Sequence, residues 1–329
     1  MPEAVIVRLP NWLGDTVMAV PALRALRAAL PEARIGAAGP WASLLGGQGL
    51  ADVLVAYPRE WSGRLRAADA VRDLGPSIAV LLPNSIEAAL AALYWRARRR
   101  IGFATDGRRW LLSDPVPLPP RRRHQVDEYL MLVERLGATA AEREPRLSAP
   151  PQDSEERRRA RAALAEAGVP SSGRRIGIHL GAAFGPSKLW PVERVVELCR
   201  LVRGRGGVPV LLGAPEDADT AEAVIAAAPA ASLVGRDDRS LLSAVLAEID
   251  ALVCGDTGVA HLAAALGTPV VALFGPTDPR LTAPRGRAAA LSVTTPCAPC
   301  FYRVCPIDHP CMRGIAAEDV AAQLEELAA

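Results

Sequence analysis

One segment of the chain combines a lysine with residues that could bind phosphate. GAAFGPSKLWP, residues 181–191, contains the only lysine among 38 basic residues. Since arginine fills the other basic positions, Lys188 indicates a site that needs a compact ammonium group rather than a planar guanidinium. It stands in a glycine-containing loop before a predicted helix that has Pro191 at its start, and the N–H groups of such a helix start attract anions. The alternative is a solvated lysine without a special role.

A second segment, ALVCGDTGVAHLAAALG (251–267), points to the same chemistry. It predicts a strand that ends at Gly255, then a helix from about Gly258 to Leu266 for which Asp256 and Thr257 are candidate caps. The free N–H groups at the helix start could bind an anion, and a glycine there lets a phosphate approach the backbone. His261 follows one turn later on the same side as Thr257. The alternative is a well-capped turn with a packed histidine.

A third segment, VRLPNWLGDTVMAVPALRAL (7–26), predicts a strand, a loop and the start of a helical run from about Asp15 to Leu30, in which Pro21 either kinks the helix or marks its regular start. Gly14 stands alone, so the glycine-rich fingerprint of dinucleotide binding is missing. The Asp15 carboxylate, placed at the mouth of a cleft between two domains, could take a proton from a hydroxyl nucleophile. A helix N-cap is the alternative.

Two further stretches leave alternatives open. Between Trp95 and His124, nine arginines accompany two aspartates; they form either solvated loops or a basic face for an anionic acceptor or lipid headgroups. CAPCFYRVCPIDHPCM (297–312) contains His309 and four cysteines, with one C-x2-C half-site. Reduced structural thiols are the preferred interpretation of the cysteines, and a zinc or iron–sulfur site is the alternative. The four cysteines are Cys297, Cys300, Cys305 and Cys311.

The elements that must position these residues alternate along the chain. Short buried strands (4–8, 78–82, 175–180, 208–213, 231–235, 251–255 and 269–275) are separated by amphipathic helices. This order predicts an α/β protein with parallel sheets, in which ligands bind at the carboxyl ends of the strands. The Pro- and Ser-rich stretch 144–156 predicts a linker, and we therefore expect two doubly wound domains, 1–150 and 151–329, that face each other across a cleft.

Composition narrows the class of protein. The formal net charge is +2 and half of the residues are apolar, which gives no indication of nucleic-acid binding. The amino terminus lacks the pattern of a signal peptide, no run of about 18 apolar residues predicts a membrane span, and six cysteines suit a reducing compartment. We therefore expect a cytoplasmic protein.

Taken together, these motifs resemble glycosyltransferase family 9, the heptosyltransferases of lipopolysaccharide core assembly, over essentially the whole chain. LPNWLGDTVMAVPAL is similar to the opening loop of the family, and LLPNS with IGFATDGRRWLLSD to its first-domain strand ends. GAAFGPSKLWP and GDTGVAHLAAALGTPVVALFGPTDP resemble its two donor-site signatures. The form of these motifs and the cysteine-rich tail are most similar to the type II enzymes.

The resemblance implies a GT-B fold of two Rossmann-like domains, with the acceptor on the first, the ADP-sugar on the second, and residues 316–329 packing back on the first. It implies an inverting transfer of heptose from ADP-heptose to a lipid-anchored lipopolysaccharide core, without a cofactor or an obligatory metal, at the inner face of the inner membrane. In this scheme Asp15 is the general base and Lys188 neutralises the leaving ADP. The implied donor-binding residues are Ser187, Lys188, Glu216 (toward the ribose), Asp256, Thr257, Gly258 and His261.

Other functions remain possible at this stage. The donor or acceptor could differ, as in type I or type III heptosyltransferases, because a phosphate site does not recognise the sugar. A sugar-nucleotide epimerase of the same architecture is a second enzyme class, but it needs clustered acid and base groups around its own donor sugar. A non-enzymatic nucleotide-binding protein would leave Asp15 without a role.

Overall fold

The computed structural model describes residues 4–58, 60–236 and 241–328. The chain divides into two compact units, unit 1 from Met1 to Pro145 and unit 2 from Arg146 to Ala329. The division falls within the stretch 144–156 that reads as a linker in the sequence, five residues before the expected boundary at 150.

Unit 1 is built on a sheet of six parallel strands. Its strands are β1 (Ala4–Arg8), β2 (Arg34–Gly39), β3 (Val53–Ala56), β4 (Ile78–Leu81), β5 (Arg99–Phe103) and β6 (Asp114–Val116). They lie in the order β3-β2-β1-β4-β5-β6. The central strands β1 and β4 are buried almost throughout, because helices cover both faces of a parallel sheet.

The described part of unit 1 contains five helices: α1 (Leu13–Met18), α2 (Val20–Ala29), α3 (Trp61–Asp73), α4 (Ile86–Tyr94) and α5 (Gln125–Val133). Short 3-10 helices occur at Ala42–Leu45, Arg108–Leu111 and Glu134–Leu136. The helical run expected from Asp15 to Leu30 is two helices that meet at Ala19, so of the two roles predicted for Pro21 the start of a regular helix is confirmed. Pro21 occupies the second position of α2, where its missing N–H costs no helical hydrogen bond.

Unit 2 repeats the design with six more parallel strands. They are β7 (Arg175–His179), β8 (Val208–Leu212), β9 (Ala231–Ser232), β10 (Ala251–Gly255), β11 (Val270–Phe274) and β12 (Ala288–Ser292). Their order is β12-β11-β10-β7-β8-β9. The strand predicted over 231–235 forms only a two-residue β9 at the sheet edge.

The helices of unit 2 are α6 (Glu155–Glu166), α7 (Val192–Gly204), α8 (Ala218–Ala227), α9 (Leu242–Leu246), α10 (Gly258–Ala265), α11 (Pro279–Thr282), α12 (Pro310–Arg313) and α13 (Ala317–Ala328). Two 3-10 helices, Pro186–Lys188 and Pro215–Asp217, follow β7 and β8. α13 buries Val320 and Leu324 in the core of unit 2 and packs against α7. The expectation that residues 316–329 pack on the first domain stays a prediction.

Both sheets have the strand order of a Rossmann fold. In each unit the chain first builds outward from a central strand on one side, then crosses over and builds on the other side. The crossover places β1 beside β4 in unit 1 and β7 beside β10 in unit 2. Ligands of such sheets bind beyond the carboxyl ends of these two neighbouring strands, so the loops after β1, β4, β7 and β10 are where chemistry is expected. No helix within the described ranges combines the length and apolar character needed to cross a bilayer.

Candidate active site

Lys188 and Asp256 form an ion pair at the crossover point of unit 2. Lys188 ends the 3-10 helix in the loop after β7, and Asp256 directly follows β10. The lysine Nζ donates to Asp256 Oδ2 at 2.6 Å and to the Asp256 carbonyl oxygen at 2.9 Å. An ammonium has three N–H donors, so one remains for another acceptor. The lone lysine is therefore fixed in a defined position.

The surroundings of this pair remove it from solvent. Both side chains are less than one tenth exposed. The Thr277 hydroxyl, in the loop after β11, donates to the same Asp256 oxygen at 2.7 Å. Nζ also lies 4.7 Å from the centre of the Phe184 ring, which attracts a cation through its negative face. Gly255 is needed for this approach, because a Cβ there would lie 2.8 Å from the Lys188 carbonyl oxygen.

The start of α10 lies next to the ion pair. Thr257 is extended and occupies the N-cap position without a side-chain capping bond, and α10 begins at Gly258 as predicted. The N–H groups of a first helical turn have no partner within the helix, which makes this end a site for an anion. The Thr257 hydroxyl is buried beside the Cys254 thiol. His261 is buried one turn into α10.

Glu216 is exposed at the carboxyl end of the neighbouring strand. It lies in the 3-10 helix after β8, and β8 pairs with β7. A cavity of about 280 Å³ lies beside Lys188 and is lined by residues that include His179, Trp190, Asp217, Cys254 and His309. Burial lowers the pKa of His179, although the nearby Asp217 carboxylate opposes the shift, and the His179 Nδ1 is buried without a partner. This space belongs to the same strand-end site of unit 2.

Ser187 lies in the site but its hydroxyl is already used. The side chain is buried and donates to the carbonyl oxygen of Tyr302 at 2.6 Å, while its N–H donates to the Arg303 carbonyl oxygen at 3.1 Å. A hydrogen bond from this hydroxyl to a phosphate requires the bond to Tyr302 to break. Gly185 permits the contact, since it has a φ of +150° and a Cβ there would lie 2.5 Å from the Arg303 carbonyl oxygen.

The cysteine-rich segment thus supports the lysine loop. In addition, the Arg303 Nε donates to the Phe184 carbonyl oxygen at 2.7 Å. All six cysteines are free, and burial raises the pKa of the Cys311 thiol. Across the described ranges, no group of three or more His, Cys, Asp or Glu side chains is arranged to hold a metal ion. The geometry assigns this segment a packing role next to Lys188.

Asp15 lies at the corresponding place in unit 1. It is in the first turn of α1, directly after the loop that leaves β1, and its side chain is half-buried. The hydroxyl of Tyr129, which projects from α5, donates to Asp15 Oδ1 over 3.5 Å. Tyr129 is almost fully buried, and burial together with the Asp15 charge raises its pKa well above the ordinary value. A buried phenol that stays protonated can hold a carboxylate in one orientation.

Arg8 fixes the loop that carries Asp15. Its guanidinium is fully buried at the end of β1, donates to the Leu9 carbonyl oxygen and to Asn11 Oδ1, and lies 4.5 Å from the centre of the Tyr57 ring. Burial lowers the pKa of Arg8, and the Glu87 carboxylate opposes that effect.

The nine arginines of the stretch 95–124 divide into those that hold the structure of unit 1 and those that are exposed. Arg108 is buried, and burial lowers its pKa to about 10. It donates to the carbonyl oxygens of Pro83, Ser85 and Phe103 and to Asn84 Oδ1, so it holds the loop after β4. Three more, Arg99, Arg100 and Arg122, bind carboxylates or carbonyl groups. The remaining five are exposed: Arg96, Arg98, Arg109, Arg121 and Arg123.

Three contributors to the site escaped the sequence analysis: Thr277, Tyr129 and Arg303. Thr277 had a usable signal, because FGPTDP directly follows a predicted buried strand, as the Asp256 segment does. Tyr129 and Arg303 had none, since each reaches its partner from an element distant in the sequence.

Two Rossmann-type units in one chain are the architecture of the GT-B class of glycosyltransferases. Residues 64–310 match the sequence model of glycosyltransferase family 9 (heptosyltransferase), and the chain belongs to this family. It is 29% identical over 308 residues to lipopolysaccharide heptosyltransferase 2 of Salmonella typhimurium, an alignment that covers 87% of this chain and 86% of the relative.

Solved structures agree with this assignment. ADP-heptose lipopolysaccharide heptosyltransferase II of Escherichia coli superposes with a TM-score of 0.82 at 26% identity, covering 100% of this chain and 98% of the other. A family 9 glycosyl transferase of Veillonella parvula shares the fold with a TM-score of 0.84 at 21% identity, covering 99% and 97%. The predicted α/β GT-B fold and the glycosyltransferase activity are therefore confirmed.

Proposed function

We propose that this enzyme transfers heptose from ADP-heptose to the inner core of lipopolysaccharide, as a heptosyltransferase of type II. Membership of family 9 and the similarity to heptosyltransferases 2 over most of the chain support the reaction. The observation that carries the donor assignment is the Lys188–Asp256 pair. It fixes an ammonium group beside the start of α10, where a pyrophosphate would meet both the cation and the helix N–H groups.

The proposed reaction is a direct displacement with inversion. The acceptor hydroxyl oxygen forms a bond to the anomeric carbon of the heptose, and the bond from that carbon to the phosphate oxygen breaks with its electron pair leaving on ADP. Asp15 accepts the hydroxyl proton. Lys188 donates its remaining N–H to the phosphate as negative charge develops there, so that the enzyme stabilises the leaving group.

The other predicted donor residues divide by position. Asp256 holds the lysine and does not itself meet the phosphate, because a carboxylate would repel it. Gly258 and its neighbours offer N–H groups, and Thr257 and His261 lie at the same helix end. The carboxylate of Glu216, which is exposed after β8, can accept hydrogen bonds from the ribose hydroxyls. Ser187 acts on the phosphate through its loop rather than through its hydroxyl.

The acceptor in this proposal is lipid-anchored, so the enzyme works as a peripheral protein at the inner face of the inner membrane. This location follows from the substrate: a lipopolysaccharide precursor under assembly stays in the bilayer that anchors it.

The test is a donor panel against a heptosylated core acceptor. ADP-heptose should give acceptor-dependent release of ADP and a product heavier by one heptose, while ADP-glucose, UDP-sugars and GDP-sugars should react far more slowly. Preference for another donor would refute the heptose assignment. Isomerisation of the nucleotide sugar without acceptor would instead favour an epimerase.

A further inference from the structure

Helix α4 in unit 1 presents its large apolar side chains to solvent and buries its small ones. Ala88, Ala89, Ala91 and Ala92 lie in the core, whereas Ile86, Leu90, Leu93 and Tyr94 are each 40–50% exposed. An ordinary surface helix places its leucines inward, because each buried leucine contributes about 2 kcal/mol. The reversed pattern indicates a face that is covered by something outside the chain.

The exposed residues of α4 form one face and continue onto neighbouring elements. Their spacing, i, i+4, i+7 and i+8, keeps them within about 100° of the helix circumference. The 3-10 helix Arg108–Leu111 packs against α4 and carries Trp110, which is 77% exposed. On α3, Arg72 lies over the Tyr94 ring and Asp69 accepts from its hydroxyl. Leu65, on the same face of α3, is 67% exposed.

We call this the α4 surface and define it by six residues: Leu65, Ile86, Leu90, Leu93, Tyr94 and Trp110. Scattered single hydrophobic residues are normal on a protein, but six large ones from three adjoining elements are not. A contiguous patch of this kind marks a contact with a partner or a membrane.

Charge identifies the partner. Exposed Arg96 and Arg98 directly follow α4, and exposed Arg109 precedes Trp110. Of the nearby acids, Glu87 faces Arg64 and Tyr57, and Asp69 is bonded to Tyr94. Two further acids, Asp73 and Asp106, are exposed, against the three exposed arginines named above. A protein surface binds anionic lipid through three kinds of side chain. Leucines enter the boundary between headgroups and acyl chains, Trp and Tyr lie at the membrane–water interface, and arginines contact the lipid phosphates.

We propose that the α4 surface docks unit 1 on a bilayer that contains anionic phospholipid. The leucines and Trp110 enter the boundary between headgroups and acyl chains, and the arginines contact lipid phosphates. The proposal rests on the proposed function in one respect: a lipid-anchored acceptor gives the enzyme a reason to bind the membrane.

The test measures vesicle binding without donor or acceptor, so its result does not depend on which sugar is transferred. Wild-type enzyme is sedimented with vesicles of phosphatidylcholine alone or with about one third phosphatidylglycerol. Binding to the anionic vesicles is expected, with weaker binding at high salt. The variant Leu90→Glu/Leu93→Glu should lose affinity by at least about tenfold, because it removes apolar insertion and adds negative charge.

Ile225→Glu is the matched control. Ile225 is an isoleucine of α8 in unit 2 that is 42% exposed, and its substitution should leave vesicle binding unchanged. The variant Arg98→Glu/Arg109→Glu should weaken binding to anionic vesicles only. Circular dichroism checks that each variant is folded, which is expected because all five substituted side chains are exposed.

Three results would overturn the proposal: no binding of wild-type enzyme to anionic vesicles, wild-type affinity in the Leu90→Glu/Leu93→Glu variant, or an equal loss in the Ile225→Glu control. If wild-type enzyme dimerises in solution and only the leucine variant is monomeric, the α4 surface is covered by a second copy instead. Heptose transfer is assayed separately with dispersed acceptor, so failure of the docking proposal and failure of the proposed function can be told apart.

Discussion

Replacing Lys188 by methionine tests the ion pair and the donor site in one variant. Methionine keeps an unbranched stem of similar length, so packing against Phe184 is largely retained while the charge is lost. The substitution should lower the free energy of unfolding of unit 2 and should weaken ADP binding.

The stability effect comes from leaving Asp256 buried without its cation. Breaking a buried pair by removing one partner destabilises a protein by about 3–5 kcal/mol. We expect the lower end, because Thr277 still donates to the Asp256 carboxylate. A loss of about 3 kcal/mol lowers the Tm of a unit of this size by about 6–12 °C. Such a unit still folds at 25 °C, where typical stabilities are about 5–15 kcal/mol.

The binding effect comes from the lost charged hydrogen bond to phosphate. A bond of this kind contributes about 1.5–3 kcal/mol, which corresponds to a Kd for ADP about 10- to 150-fold higher. Lys188→Arg should not restore the affinity, because the planar guanidinium does not fit the position fixed by two Asp256 oxygens.

Calorimetry with ADP and thermal unfolding measure the two effects in the same samples. The double variant Lys188→Met/Asp256→Asn separates them: it removes both buried charges, so most of the stability should return while ADP affinity stays low. Arg200→Met, which removes an exposed cation from α7, is the control for loss of charge alone. Wild-type ADP affinity in Lys188→Met would refute the phosphate role, and a double variant no more stable than Lys188→Met would refute the ion-pair argument.

Three further predictions concern unit 1. Asp15→Asn should lower kcat for heptose transfer by about 10²–10⁴-fold while calorimetry shows unchanged ADP affinity; a kcat near wild type would remove the general base. Tyr129→Phe removes the hydrogen bond to the carboxylate, so the acidic limb of the kcat–pH profile should move to higher pH with little change in KM, and a superimposable profile would contradict the positioning role. Burial alone would raise the pKa of Asp114, but the ion pairs with Arg99 and Arg135 lower it by more. The pKa of Asp114 is therefore lower in the folded protein than in the unfolded chain. The ionised Asp114 therefore stabilises the protein above about pH 4, and this contribution is lost as the pH falls through the folded-state pKa. In urea unfolding, the free energy of unfolding should fall less steeply with decreasing pH for Asp114→Asn than for wild type. Parallel pH dependences of the two proteins would count against this account.

The sequence was sufficient for seven of the twelve strands that the structure describes and for the separate halves of the donor site. Buried strands in a parallel sheet are nearly continuous apolar runs, so β7 and β10 could be identified, and Lys188 and Asp256 stand directly after them. Their pairing was missed because the two residues are 68 positions apart, and only the strand order makes β7 and β10 neighbours.

Side-chain use was harder to predict than position. A count of nine arginines over 95–124 treats them alike, yet Arg108 is buried against backbone carbonyl groups while Arg109, its neighbour, is exposed. Which carbonyl groups a loop directs inward is a tertiary property that composition does not contain. Ser187 shows the same limit, since its acceptor Tyr302 is 115 positions away.

The repeated strand order gives the two proposed reactive groups equivalent places in their units. Each unit offers the loop after its first strand as the place for a functional side chain, Asp15 after β1 and Lys188 after β7. In unit 1 that place holds a carboxylate that accepts a hydrogen bond from the Tyr129 phenol. In unit 2 it holds an ammonium whose charge is balanced by Asp256, so the site is stable before the donor arrives yet retains one N–H for the phosphate. In the proposed reaction, one fold repeated along the chain supplies both the base for the nucleophile and the cation for the leaving group, because only the loop residues have to differ.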